Sequence, residues 1–347
     1  EFFHGSAMLA TSLFESRVGN NWMHGYDLVG MHDTTASKYY VQFREGRMLR
    51  FAKSGMTWVL EEPLDIPFQL VESGADFVLF DPRDHLQYTF DAGGKLTQVA
   101  DGRGNTHTLT YDDIILTQIA DDFGRTLDLS YDAFHNLVSV TDGTRTLQLS
   151  QDFVGNLTSL TDTRGNTTAY TYDASGRMTS RTRPLGNVPT TQTYDAQGRV
   201  VSQTSAPSDT STIAYMGAGT TATSPTGPAQ SYAHDAVTGA ATQLTDEVGN
   251  SIAIASDTAG RRSGYTGRTG NAEAYTYHAA SGKVASVARA DGATTSYAYT
   301  GVALPNGLMR YDLTGITHPD ATTESFTYDA SGNLTGAVDR AGASWAL

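Results

Sequence analysis

The chain has 347 residues, 23 Lys and Arg against 37 Asp and Glu, a formal charge of −14 and no cysteine. Cations this few, scattered at turns rather than gathered into a stripe, argue against nucleic acid as a partner, and without cysteine neither a disulfide framework nor a thiolate metal site can form. No run of about 18 apolar residues is present to span a bilayer, and the opening Glu1-Phe2-Phe3-His4 lacks the basic start and apolar middle of a signal peptide.

The length exceeds one ordinary core, which leaves two domains or a repeat architecture. Abundant Gly, Thr, Ser, Tyr and Asp, with no stretch of apolar residues at helical spacing, predict a nearly all-β chain broken by many turns.

Residues 1–89 read as a β-rich entry module. Lys38 to Phe43, Arg47 to Phe51, Thr57 to Leu60 and Phe77 to Phe80 are short apolar or alternating runs, punctuated at Ser54-Gly55, Ser73-Gly74 and Asp81-Pro82. The module is expected to be continuous with the strands on its C-terminal side.

From 90 to 347 a unit recurs about a dozen times: an aromatic, Asp, one or two small or polar residues, Gly, then an aliphatic. The plainest copies are Tyr172-Asp173-Ala174-Ser175-Gly176-Arg177-Met178, Tyr194-Asp195-Ala196-Gln197-Gly198-Arg199-Val200 and Tyr328-Asp329-Ala330-Ser331-Gly332-Asn333-Leu334. Looser copies start at Phe90, Tyr111, Tyr131, Gln151, Tyr215, His234, Ser256, Tyr277 and Tyr299. The longer interval before Tyr328, around Ala303-Leu304-Pro305-Asn306-Gly307, reads as a loop insertion.

Many units carry a second Asp to Gly turn about ten residues on, as at Asp101 to Gly104, Asp121 to Gly124, Asp162 to Gly165 and Asp246 to Gly249. Asp accepts backbone hydrogen bonds early in a turn and Gly takes the positive φ that closes it, so each unit is one β-hairpin. Leu127, Leu129 and Tyr131 share one face of a strand, as do Leu147 and Leu149, while polar residues occupy the other. A lone hairpin is marginal, so each should pair with the next, and the strip should curl under its own twist into a spiral, barrel-like shell.

These repeats identify the chain as similar to the Rhs and YD-repeat family, which includes the BC component of Tc toxins and the YD shell of teneurins. Asn21-Trp22-Met23-His24-Gly25-Tyr26-Asp27-Leu28 also resembles the Gly-Trp-x-x-x-Tyr-Asp element ahead of such repeats, with Asn21 where that pattern has Gly. The resemblance implies a hollow β-spiral, secreted or on the cell surface, that encloses or displays a toxin or effector region of the same polypeptide. Other members act in adhesion, which implies a glycan or receptor as partner. Neither a DPxG-like self-cleavage core nor a variable toxin domain is found after the repeats here, so transport and cleavage are not carried over.

About 24 strands at roughly 4.8 Å give a ribbon about 115 Å long, one circuit about 37 Å across. A guest of about 100 residues, roughly 34 Å across, would not fit inside once inward side chains are allowed for. The start without methionine and the stop at Leu347 suggest a segment of a larger shell.

No catalytic residue, cofactor site or metal site can be nominated, and a glycan-acting enzyme, the third reading after shell and adhesion module, rests on the dispersed carboxylates alone. The nine histidines are dispersed, His234 and His278 replacing the aromatic and the Asp of their units. The Asp-x-x-Gly turns place too few oxygens at alternate positions for calcium. Neither a nucleophile elbow nor a phosphate-binding Gly-rich loop is present. Two groups of aromatics remain, as shell packing or as ligand contacts: Trp22, His24 and Tyr26 beside Asp27, and the ladder Tyr111, Tyr131, Tyr172, Tyr194, Tyr277 and Tyr328, which could stack on sugars.

Overall fold

A computed structural model describes residues 2–4, 17–43, 46–186, 190–205 and 209–346; Glu1 and Leu347 lie outside the described residues. It is all-β among the described residues, with no helix to cross a membrane.

The repeat turn explains its own sequence. In the unit at Tyr172, the Asp173 amide donates to the Arg177 carbonyl and the Gly176 amide to the Asp173 carbonyl, at 3.0 Å each. The Asp173 Oδ1 accepts from the amides of Ser175 and Arg177 at 2.9 and 3.0 Å, while Gly176 takes φ +72°. A carboxylate is needed at the first position to collect two amides, and the residue three places on needs a left-handed backbone, so Asp-x-x-Gly is the local solution.

The aromatic before each Asp sits at a β-bulge. Pairing slips by one residue between Thr110 and Tyr111, Ser130 and Tyr131, Thr171 and Tyr172, Thr193 and Tyr194, and Thr276 and Tyr277. Two residues on one strand then oppose one on its neighbour, which bends the strip at the same height in successive units.

The bends accumulate into one antiparallel sheet of 27 strands, barrel-like in outline, running from Gln69–Ser73 to Ser344–Ala346. Its first strands, Gln69–Ser73, Asp76–Asp81 and all but the last residue of Leu86–Phe90, fall within residues 1–89, the stretch expected to form the entry module. Their Phe80-Asp81 pair is followed by His85 rather than Gly at the left-handed position, which is why periodicity alone places the start of the ribbon later. A separate four-stranded sheet, Val29–Asp33, Lys38–Gln42, Met48–Ser54 and Thr57–Glu62, and a two-stranded one, Phe2–His4 with Trp22–His24, also belong to that stretch.

The ribbon meets itself after about 22 strand spacings, a circuit of about 105 Å or about 34 Å across. At this seam the Gln69 side-chain amide donates to the Met309 carbonyl at 2.9 Å and accepts from its amide at 2.8 Å, imitating a strand neighbour. Leu308 is buried against Val78 and Phe80. The residues expected to form a loop insertion therefore lengthen a hairpin, Thr294–Ala303 with Met309–Thr317, whose tip clasps the start of the ribbon.

The core is one-sided. Tyr39, Leu49 and Phe51 of the small sheet pack with Phe77, Leu79, Phe90, Leu96, Leu109, Leu116, Leu129, Leu137, Leu149 and Leu157 on the concave face. Each such side chain removed from water contributes about 1.5–3 kcal/mol. Between Leu157 and Leu308 no apolar residue of the described ribbon is fully buried.

Candidate functional site

Residues 17–30 form a strap across the Asp-x-x-Gly turns of consecutive units. The Leu137 amide donates to the Arg17 carbonyl at 2.7 Å, the Asn20 amide to the Gly155 carbonyl at 2.7 Å, and the Gly30 amide to the Gly94 carbonyl at 2.9 Å. The Asn20 side-chain amide adds a bond to the Val154 carbonyl at 2.7 Å. Because the turns repeat at one height, they offer a row of backbone amides and carbonyls that an extended segment can track.

The strap residues predicted as a cluster do come together, and each is tied inward. The Trp22 indole Nε1 donates to the Tyr172 hydroxyl at 2.8 Å, with its ring edge-on to Tyr170 at 4.9 Å between centroids. His24 bridges a tight turn: its Nδ1 accepts from the Tyr26 amide at 3.2 Å and its Nε2 faces Asp27 Oδ1 at 3.2 Å. Both ring nitrogens are therefore engaged within the turn. The Tyr26 hydroxyl lies 2.8 Å from Nδ1 of His107, and burial raises its pKa.

Five of the six ladder tyrosines share one contact. The hydroxyls of Tyr111, Tyr131, Tyr172, Tyr194 and Tyr277 donate to the carbonyls of Leu96, Leu116, Leu157, Met178 and Arg262 at 2.6–2.8 Å. Each ties its unit to the one before. Burial pushes Tyr172 up to about 12 and raises Tyr111, Tyr131 and Tyr194 as well. Tyr328 is partly buried, its pKa also raised by burial. In three units Arg177, Arg199 and Arg261 stack 4.3–4.7 Å over the next tyrosines, Tyr194, Tyr215 and Tyr277, closing those faces to a stacked sugar.

The Asp side chains are spent likewise: Asp173 Oδ2 accepts from Arg177 Nε at 2.7 Å, so its carboxylate caps the turn. Among the described residues no cluster of three or more metal-ligating side chains occurs.

Two cavities flank the strap. One of about 280 Å³ lies between His24-Gly25-Tyr26 and Leu127, Leu129, Leu137, Val140 and Leu147. The other, about 330 Å³, is lined by Arg17, Asp27, Lys95, Tyr111, Ile114 and Tyr131.

Past Leu157 the concave face changes character. Cross-strand pairs on the tyrosine side become Gln192 with Gln203, Ile213 with Ala222, Tyr232 with Thr220, Ile254 with Tyr265, and Tyr275 with Val287. None of these side chains is buried, Gln203 being exposed and the others half-buried, because neither the strap nor the small sheet covers them.

Sequence reasoning missed the polar seam. Arg310 and Asp312, each 5% exposed, form a bidentate pair at 2.9 Å, and Arg310 Nη1 also donates to the Ala330 carbonyl at 3.0 Å. Lys283 Nζ lies 3.0 Å from His85 Nε2 and donates to the Tyr311 carbonyl at 3.2 Å. The available signal was departure from the repeat: His278 in place of Asp, and the lengthened unit.

Hairpins joined by bulges, capped by Asp-x-x-Gly turns and tied by tyrosine hydroxyls, define a YD-type structural repeat. The matching family model, described as RHS Repeat, covers residues 154–188 and 312–344, so the chain carries RHS repeats. No curated protein matches by sequence. Among solved structures, the chain is similar to TcdB2-TccC3 without its hypervariable C-terminal region, at 12% identity and TM-score 0.48 over 89% of this chain and 22% of that one. It is similar too to TcdB2-TccC3-TEV, at 13% identity and TM-score 0.46 over 89% and 21%. A Photorhabdus luminescens Tc holotoxin pore carrying a TccC3 mutation matches at 13% identity and TM-score 0.37, over 91% and 22%. The chain spans about a fifth of each.

Proposed function

We propose that this chain is a structural segment of a secreted or cell-surface Rhs/YD-repeat protein, whose concave wall encloses or displays an associated toxin or effector region. The observation that carries the proposal is the asymmetry of that wall. One half is filled by the chain's own strap and small sheet, while the half around Gln192, Ile213, Tyr232, Ile254 and Tyr275 keeps half-buried aromatics and amides with no covering element among the described residues. Such a surface suits a loosely held polypeptide better than a packed domain, which would call for a continuous apolar face. A circuit about 34 Å across, part-filled from one side, likewise has no room for a folded guest of about 100 residues. On this reading the protein catalyses nothing, its carboxylates being turn caps.

A photo-cross-linking residue at Tyr232 or Tyr275, in the complete natural polypeptide, tests the proposal. Adducts to a segment outside the repeats support it; adducts confined to the repeats themselves contradict it.

Glycan or receptor adhesion is the second reading, favoured by an open groove of about 550 Å³ where Tyr265 meets Ile252, Arg268, Asn271 and Glu273. A glycan array with no signal above a Tyr265→Ala control counts against it.

A further inference from the structure

The seam that closes the ribbon is held by few groups, and one of its contacts depends on a histidine being neutral. His85 stands in the turn between Asp76–Asp81 and Leu86–Phe90, at φ +62°, its ring stacked 6.4 Å from Phe80. The facing element supplies Lys283, whose ammonium is a donor only. At 3.0 Å from His85 Nε2, Lys283 can donate only if that nitrogen keeps its lone pair. The other contacts between the two sides are uncharged: Gln69 on the Met309 backbone, the Asn306 side-chain amide donating to Gln87 Oε1 at 3.1 Å, and Leu308 on Val78 and Phe80, with the Arg310–Asp312 pair satisfied within the clasping hairpin.

We propose that Lys283 and His85 form an acid-released latch, so that protonating His85 sets two cations face to face and loosens the seam between the start of the ribbon and the clasping hairpin.

The charges around the pair do not cancel this. On the His85 turn, Asp81 accepts from the Arg83 amide at 2.8 Å and faces the Arg83 guanidinium at 3.6 Å, while Asp84 is exposed. From the clasping hairpin come the Tyr311 carbonyl, already accepting from Lys283, and Asp312, whose oxygens are taken by Arg310. His278 lies against Tyr299 and Tyr311 and is bonded to Ser281, and Arg103 adds a further positive charge near Lys283. Desolvation first, then Lys283, lowers the His85 pKa, and desolvation lowers that of Lys283. With the folded value of His85 depressed, its contribution is fully present above the unfolded value of about 6.5 and is lost as pH falls through the folded one. The latch is closed at neutral pH and released in acid.

The chain has no cysteine, so two introduced cysteines carry probes cleanly. Ala75 and Ala280 are exposed, one on each side of the seam. With spin labels at Ala75→Cys and Ala280→Cys, the distance distribution should lengthen or broaden between pH 7.5 and pH 5, with a midpoint below 6.5. His85→Gln keeps an acceptor for Lys283 but cannot titrate in this range, and should hold the neutral-pH distribution throughout. If that variant does not fold, Lys283→Met serves instead: with one cation gone, its acid response should shrink. A wild-type distribution unchanged between the two pH values, or a substituted protein that responds as strongly as wild type, overturns the proposal. The readout is the seam alone, so it stands whether or not the concave wall holds a guest.

Discussion

Removing one oxygen atom should separate the strapped part of the ribbon from the rest. The Tyr172 hydroxyl donates to the Leu157 carbonyl at 2.7 Å and accepts from the Trp22 indole at 2.8 Å, joining two units and the strap. Tyr131 makes the first kind of bond, to Leu116 at 2.7 Å, as does Tyr277, to Arg262 at 2.7 Å in an exposed position. A net hydrogen bond is worth about 0.5–1.5 kcal/mol, toward the upper end when its partners are buried. Tyr172→Phe should therefore cost about 2–3 kcal/mol, Tyr131→Phe about 1, and Tyr277→Phe about 0.5. Urea titrations monitored by tryptophan fluorescence give the differences as midpoint shifts at constant slope. Equal losses at the three positions would refute the claim that the strap uses the tyrosine ladder as its anchor.

Leu157→Ala, at a fully buried position, should cost about 2–5 kcal/mol in the same titration, whereas Val287→Ala on the uncovered half should cost about 1. Asp312→Asn leaves the buried Arg310 charge without its counterion and should cost about 3–5 kcal/mol; calorimetry across a charge-conserving Asp312→Glu control checks this. Gly94→Ala is strained at φ +85°, and its added carbon would collide with the Gly30 carbonyl, so the strap should become a preferred site of limited proteolysis. The turn carboxylates predict acid sensitivity. A backbone amide first and then the Arg145 guanidinium hold Asp142 at about 2, and hydrogen bonds from Asn166 and Asn333 lower Asp162 and Asp329. With folded values depressed, this stabilisation is present above about pH 4 and lost as pH falls through the folded values, which circular dichroism against pH would show as a broad transition below about pH 4.

The repeat is legible in the sequence because one unit solves one local problem. Asp173, Gly176 and Tyr172 each have a role within or next to their own hairpin, so spacing alone marks turn, bulge and strand. The small sheet is legible for a similar reason, its strands at Lys38–Gln42, Met48–Ser54 and Thr57–Glu62 matching the alternating runs. What escapes is long-range. Nothing local tells Arg310 that it will meet Asp312 out of water, or His85 that Lys283 lies opposite. Arg310 and Asp312 are neighbours on one strand, but they are buried, and Lys283 reaches His85, only because the accumulated bends bring the ribbon round. The tip at Leu304 to Leu308 reads as a loop for the same reason: a hairpin extension and a loop look alike until the element it clasps is known.

The most direct test is cryo-electron microscopy of the complete natural polypeptide. A spiral wall should carry added density along the face lined by Gln192, Tyr232 and Tyr275, and none on the face already filled by the strap. An empty wall along those residues, with the same residues exposed to solvent, would contradict the proposed role.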